Sequence, residues 1–177
     1  SGFTTAAGYY ASAGTVFTRS TSQTNGVLTI SNKYNATNVT GVGATYTPII
    51  SNLSLDSLNV SNNASISILT GADVSVAGVS YLNMLSGTSL NIQTGARLEI
   101  PYLSILNLNS GSTINNSGTL DINALGSFTL NGALNNFGTM NLISLGEFII
   151  NGTFSTSSSA TNVFPSSVVV GSTGTVT

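Results

Sequence analysis

The sequence has no cysteine, no histidine and no tryptophan, and it has very few charges. The absence of cysteine excludes a disulfide framework and a thiolate metal site. Lysine and arginine number 3, aspartate and glutamate number 5, and the net charge is −2. Charged residues make up 5% of the chain, against about 25% in ordinary soluble domains. With so few lysines and arginines, the chain lacks a basic surface that could bind nucleic acid and a polybasic patch that could bind anionic membranes.

Long apolar runs are also missing, since no segment approaches the roughly 18 consecutive apolar residues of a membrane span. We therefore expect no membrane insertion. Apolar residues still make up 41% of the chain, which is too many for an unfolded protein. The polar remainder is mostly serine, threonine, asparagine and glycine, which suit turns and sheet surfaces. This composition, with no signal peptide at the start, predicts a secreted protein that has lost its leader and lies outside the cell or at its surface.

A repeat that begins at Ser57 organises the rest of the chain. Its rows are 24, 24, 22 and 20 residues long and span 57–80, 81–104, 105–126 and 127–146. A fifth row begins at Glu147. Each row contains short segments in which apolar and polar residues alternate, about eight residues apart and separated by serine, asparagine and glycine. Such alternation is typical of short β-strands joined by turns.

Two architectures use short strands at this spacing. Antiparallel hairpins in a sandwich would explain the spacing, but they would not explain why similarity recurs every 20 to 24 residues. In a parallel β-solenoid each row is one coil, and coils stack about 4.8 Å apart. We therefore predict an all-β, single-domain parallel β-solenoid (β-helix), right-handed, with three strands per coil. Its coils of about 20–24 residues taper toward the C-terminus.

In this register, apolar residues of successive coils lie above one another inside the solenoid. The first predicted stack contains Leu58, Leu82, Leu106, Phe128 and Phe148. Another contains Val76, Ile100, Ile122 and Leu142. The remaining stacks are Val60–Met84–Leu108–Leu130–Ile150, Ile66–Leu90–Ile114–Leu134–Phe154, Val74–Leu98–Leu120–Met140 and Val79–Leu103–Leu125–Leu145. The turn glycines are predicted to stack too, because a fixed corner needs a positive φ or a close backbone approach; they are Gly71, Gly95, Gly118 and Gly138.

The chain divides into four parts. Residues 1–25 form an N-terminal extension, either a partly ordered tail or a strand donated to a neighbouring subunit. Residues 26–56 form an atypical first coil or cap, as terminal repeats often do. The solenoid core covers 57–154. Residues 155–177 form a serine-rich loop and a last strand that either caps its own solenoid or pairs with a neighbour.

Chemistry-bearing residues are scarce. Polysaccharide-cleaving solenoids need paired carboxylates, basic residues or Ca²⁺ ligands. Here Glu99 and Asp121 fall in adjacent rows of one outward column, which suits a weak cation site or an acid/base pair. Arg97 lies on the same face two residues from Glu99, and Asp73 is one coil away, so ordinary ion pairing explains these acids. We predict no enzyme activity, no catalytic residue, no metal and no cofactor.

Asparagines form two further columns and seven glycosylation sequons. The columns contain Asn59–Asn83–Asn107 and Asn91–Asn115–Asn135, and we expect them to be structural hydrogen-bonding ladders. The sequons carry no evidence by themselves, because 21 asparagines in a chain with 52 serines and threonines give about six by chance. If a covalent glycan is present, Asn35 and Asn38 in a loop are the preferred acceptors.

The segments INNSGTLDI, LNNFGTMNL and FIINGTF carry a resemblance to known proteins. They resemble the repeats of filamentous-haemagglutinin-like adhesins and autotransporter passengers, over about 111–154. The resemblance implies secretion, adhesion or surface structure, and it supplies no catalytic residues. The charge-poor composition is also similar to that of archaeal surface-filament subunits, some of which join through donated terminal strands.

Near-zero charge removes the repulsion that keeps proteins dispersed. We therefore expect a structural subunit of an extracellular filament or surface fibre, a homo-polymer assembled head-to-tail by β-strand pairing or donor-strand exchange through residues 1–25 or 163–177. The alternative is a monomeric surface adhesion or glycan-binding module that uses asparagine, threonine and tyrosine on one face.

Overall fold

The computed structural model describes residues 14–21, 23–31, 46–76, 81–101, 105–123, 127–143 and 146–177. These residues form a parallel β-solenoid of about five turns, with three strands per coil and no helix. The predicted fold class is therefore confirmed. No helix long and apolar enough to cross a membrane occurs within the described ranges.

Three sheets form the walls of the solenoid, and their strands are numbered here in chain order. In spatial order, sheet 1 contains β1 (Gly14–Thr18), β2 (Val27–Ser31), β5 (Ser57–Ser61), β8 (Tyr81–Met84), β11 (Ile105–Leu108), β14 (Phe128–Leu130), β17 (Glu147–Ile150) and β20 (Ser167–Val170). Sheet 2 contains β3 (Thr47–Ile49), β6 (Ser65–Ile68), β9 (Ser89–Ile92), β12 (Thr113–Asn116), β15 (Ala133–Asn136), β18 (Thr153–Thr156) and β21 (Thr175–Val176). Sheet 3 contains β4 (Leu53–Leu55), β7 (Asp73–Val76), β10 (Arg97–Ile100), β13 (Thr119–Ile122), β16 (Thr139–Leu142) and β19 (Thr161–Val163).

The pairing register stacks like residues over like along each sheet. In sheet 1, Leu58 pairs with Leu82, Leu82 with Leu106, and Phe128 with Phe148. In sheet 3, Ile100 pairs with Ile122 and Ile122 with Leu142. Leu106 is partly buried, and the other members of these two stacks are buried. The alternating pattern therefore produces one continuous apolar core, since every second side chain of a strand points inward.

The stacks extend beyond the repeat at both ends. In sheet 1, Leu28 pairs with Leu58 at one end and Val168 pairs with Phe148 at the other. In sheet 3, Leu55 continues the stack that contains Val76. Residues of 27–55 and 161–176 thus add strands to the same three sheets. The predicted stack of Val79, Leu103, Leu125 and Leu145 lies outside the described residues.

Coils become shorter mainly through their corners, while most strands of the core keep four residues. The corner between sheets 2 and 3 has four residues in the second coil (93–96) and two in the third (117–118). The corner between sheets 1 and 2 shortens in the same way from the third coil (109–112) to the fourth (131–132). The inner apolar positions stay aligned because the paired strand residues are retained.

This shortening changes the predicted glycine stack. Gly71 and Gly95 have φ of 85° and 77° in the longer corners, and the amide of Gly71 donates to the Gly95 carbonyl at 3.0 Å. Gly118 lies above Ala96 instead, because Thr119 pairs with Arg97. A Cβ on Gly118 would meet the Ala96 carbonyl oxygen, and a Cβ on Gly138 would meet the Gly118 carbonyl oxygen. The four glycines therefore form two pairs with different roles, positive φ in the first and close backbone approach in the second.

Candidate functional site

Arg97 is the centre of the main charged cluster among the described residues. It lies on the outer face of sheet 3, where Asp73 is its partner in the preceding coil and Asp121 is diagonal to it in the next. Its Nε donates to Asp121 Oδ2 at 2.7 Å, and its Nη1 donates to Glu99 Oε2 at 2.9 Å. Asp73 Oδ1 is 3.6 Å from Nη1. The hydrogen bond to Glu99 is the largest cause that raises the pKa of Arg97 above its usual range. Burial opposes it, and the hydrogen bond to Asp121 raises the pKa further.

This cluster ties three coils together. Asn141, one coil further, donates from Nδ2 to Asp121 Oδ1 at 2.7 Å. Each carboxylate oxygen of Asp121 thus accepts a hydrogen bond, Oδ2 from the guanidinium and Oδ1 from the Asn141 amide. No group of three or more histidine, cysteine or acidic residues that could hold a metal ion occurs in the part of the chain that the structure describes.

An outward asparagine ladder follows sheet 2. Asn115 Nδ2 donates to Asn91 Oδ1 at 2.8 Å, and Asn135 Nδ2 donates to Asn115 Oδ1 at 2.8 Å. Asn115 both donates and accepts along the solenoid axis, so the ladder joins three coils. The second column predicted from sequence, which contains Asn59, Asn83 and Asn107, is aligned on the outer face of sheet 1.

A second, buried ladder was missed by the sequence reasoning. Asn116 and Asn136 are fully buried at the inner corner between sheets 2 and 3. Asn116 Nδ2 donates to Asn136 Oδ1 at 2.7 Å and to the Thr139 carbonyl at 2.8 Å. Asn136 Nδ2 donates to Asn162 Oδ1 at 2.9 Å. The signal was the Asn-Asn dipeptide at 115–116 and 135–136, in which one residue of each pair had to point inward.

The predicted glycan acceptors Asn35 and Asn38 lie outside the described residues. Among the sequon asparagines that are described, Asn115 is engaged in the outward ladder, and Asn151 donates to Asn131 Oδ1 at 3.2 Å. Asn52 is exposed in the corner before β4, where its Oδ1 accepts the Asp73 amide at 3.0 Å.

The C-terminal end exposes the top of the core. Phe164 stacks on Phe148 with ring centroids 6.1 Å apart and meets Phe154 edge-on at 5.6 Å. It is still 41% exposed. Val168, Val170 and Val176 occupy the inward positions of the last strands and are exposed as well. No charged residue follows Glu147. This end therefore presents apolar side chains beside strand edges that have no partner among the described residues.

The N-terminal end is built differently. β1 pairs antiparallel with β2, the one antiparallel contact among the described strands. Beneath it Leu28 and Ile49 are buried, whereas Val16 and Phe17 of β1 are more than half exposed. β1 therefore forms the edge of sheet 1 without burying its own large side chains.

A carboxylate holds the turn that leads from β1 to β2. Asp56 Oδ2 accepts the amides of Gly26 at 2.9 Å and Asn25 at 3.1 Å. The Gly26 hydrogen bond is the largest cause of the lowered pKa of Asp56. Desolvation opposes it, and the hydrogen bonds from Asn25 and, least, the charge of Arg19 lower the pKa further. The β1 hairpin is thus fastened to the first coil by a charge-assisted contact.

In comparisons with known proteins, no family model, no curated protein and no solved structure matches this chain.

Proposed function

We propose that the protein is a structural subunit of an extracellular filament or surface fibre, in which copies join through the ends of the solenoid. The observation that carries the proposal is the uncovered apolar C-terminal end, where Phe164, Val168 and Val170 are exposed next to free strand edges. Exposed edges and apolar ends recruit further chains unless charges or prolines block them. The low net charge offers little repulsion between copies.

The outer faces of the three sheets support a structural role for the part of the solenoid between its two ends. Their polar groups are directed to one another, in the Asn91–Asn115–Asn135 ladder and in the Arg97 cluster. Such side chains reinforce the stacking of coils and leave the ends as the main surfaces for association.

The alternative is a monomeric adhesion or glycan-binding module. The regular row of amides on sheet 2 favours it, since side-chain amides at a fixed coil spacing can form hydrogen bonds with sugar hydroxyls. Glycan-array binding by a monomer, lost on replacing Asn91 and Asn135 by alanine, would support this reading.

The experiment that tests the proposal is negative-stain microscopy of the purified chain, together with sedimentation velocity over a concentration series. We expect fibres and a sedimentation coefficient that rises with concentration. A protein that remains monomeric at high concentration with its termini intact overturns the proposal.

A further inference from the structure

We propose that the free edge of β20 in one copy pairs antiparallel with the free edge of β1 in the next, so that sheet 1 runs continuously through the joint. The proposal rests on the filament function above and names the surfaces that would carry it. Among the described residues, β20 and β1 are the two outer strands of sheet 1, and neither has a partner there on its outer edge. The partner is a second copy of this chain.

The outer face of sheet 1 gives the first argument. Its central column is polar in the middle of the solenoid, where it contains Thr29, Asn59, Asn83, Asn107 and Thr129. At both ends the same column becomes apolar. Ile149 and Val169 continue it at the C-terminal end, and Val16 continues it at the N-terminal end. Val16 and Val169 are both exposed. Apolar outward residues are thus found where two copies would meet.

The inner face gives a second, independent argument. Phe17 pairs with Leu28 and so belongs to the column that begins at Leu28 and ends at Val168. Phe17 is 52% exposed, although its position in the pleat points it toward the core side. Val168 is likewise exposed at the other end of this column. One joint would bury both side chains against each other.

The strand directions fix the register of the joint. β1 runs antiparallel to β2, whereas β2 and β20 belong to the parallel part of sheet 1. When the columns continue across the joint, Phe17 lies opposite Val168. Antiparallel pairing then places Val16 opposite Val169 and Thr15 opposite Val170. One register thus matches an apolar pair on each face of the sheet, and a slip by one residue would turn each of these side chains to the wrong face.

The same two strands cannot meet within one copy. Seven strand-to-strand steps separate β1 from β20, which is roughly 34 Å at about 4.8 Å per step. A contact between them therefore reports a joint between copies. Neither β1 nor β20 contains a charged residue or a proline, the two devices that usually block edge pairing.

A cysteine cross-link tests this pairing in the full chain, which has no cysteine of its own. In the double variant Val16→Cys, Val169→Cys, oxidation should join copies covalently, because directly opposed strand residues lie within disulfide reach. On a non-reducing gel we expect a ladder of multimers that reverts to one band with reductant. The matched control is Val16→Cys, Thr129→Cys, which keeps the second cysteine in the same outward column but two strands inside the edge, on β14. It should give no ladder.

Microscopy of the same samples separates the two proposals. Fibres without a cross-linked ladder would overturn the β1–β20 pairing and leave the filament function standing. Neither fibres nor a ladder would overturn both. An equal ladder in the Thr129 control would show random collision and would also overturn the pairing.

Discussion

Arg97 and Asp121 lie one coil apart on the outer face of sheet 3, with Nε and Oδ2 2.7 Å from each other. This contact is the shortest that Arg97 makes to a carboxylate, and it places the guanidinium between three acids, the others being Asp73 and Glu99. One cation therefore offsets the repulsion of carboxylates that the parallel register brings together.

Arg97→Gln should lower the free energy of unfolding by about 1–2 kcal/mol, because it removes a surface network and leaves three neighbouring acids uncompensated. Urea denaturation measures the change. High salt should reduce it, since the repulsion is screened. Arg97→Lys is the control. It should lower the free energy of unfolding less than Arg97→Gln does, because it keeps the positive charge, although it lacks the planar guanidinium group. A loss that is independent of salt would contradict the electrostatic origin.

Asn136→Ala should lower the free energy of unfolding more than Asn135→Ala does, although the two residues are neighbours on β15. Asn136 is fully buried, and its loss removes the acceptor of one Asn116 Nδ2 hydrogen bond and the donor to Asn162 Oδ1. We expect about 2–3 kcal/mol for Asn136→Ala and about 1 kcal/mol or less for Asn135→Ala, whose partners remain accessible to water. Equal losses in chemical denaturation would show that the buried ladder has no special role.

Two glycine substitutions should separate the two corner types. In Gly138→Ala the new methyl group would meet the backbone oxygen of Gly118, so a coil must shift, and we expect a loss of about 3 kcal/mol. At Gly71 a Cβ has open space, and the penalty comes from its φ of 85°. Gly71→Ala should therefore lose about 1 kcal/mol. Thermal unfolding of both variants checks which substitution is more destabilising. Gly71→Ala would be the more destabilising of the two if the strain of a positive φ outweighed the steric clash at Gly138.

Acid should loosen the turn before β2. The pKa of Asp56 is lower in the folded protein than its ordinary value, mainly through the Gly26 hydrogen bond. The stabilisation is thus fully present above the ordinary value of about 3.9 and is lost as the pH falls through the lowered pKa. Amide exchange at Gly26, corrected for the intrinsic pH dependence, should become faster over that range. In Asp56→Asn it should be fast already at neutral pH and show no such transition. A transition that persisted in this variant would assign it to another group.

A single charge at the C-terminal end should block association. Val170 is 52% exposed and belongs to the edge strand β20, so Val170→Lys should change the stability of the monomer by less than about 0.5 kcal/mol. It should nevertheless raise the concentration needed for self-association at least tenfold, because it places a buried charge in the joint. Ile143→Lys, at an exposed apolar corner residue, is the control and should associate normally. Sedimentation velocity compares the two.

The fold was predictable because strand alternation and coil register repeat in the sequence. Leu58, Leu82 and Leu106 recur at a constant interval of 24 residues, and the strands that contain them pair in that register. The glycine stack failed where the interval changes, since Gly118 and Gly95 are both corner glycines but lie at different distances from the following strand. A sequence interval cannot show whether a deletion falls before or after a given corner residue.

The candidate site was less predictable, because it depends on contacts that have no period. The repeat stops before Phe164, so nothing in the spacing indicated that this ring would cover Phe148 and Phe154. β1 shows only weak alternation, and its pairing with β2 is antiparallel, unlike the rest of the fold. The hydrogen bonds from Gly26 and Asn25 to Asp56 join residues about 30 positions apart and could not be read from local sequence.

The three sheets contain eight, seven and six strands among the described residues, so the solenoid does not have flat ends. At each end, at least one sheet extends about one strand spacing beyond another. When sheet 1 runs continuously through the proposed joint, the described strands of sheet 2 fall one strand spacing short of the next copy, and those of sheet 3 fall two spacings short. In a fibre built through this joint, sheet 1 would be the one continuous wall, and the described parts of the other two walls would be interrupted once in every subunit.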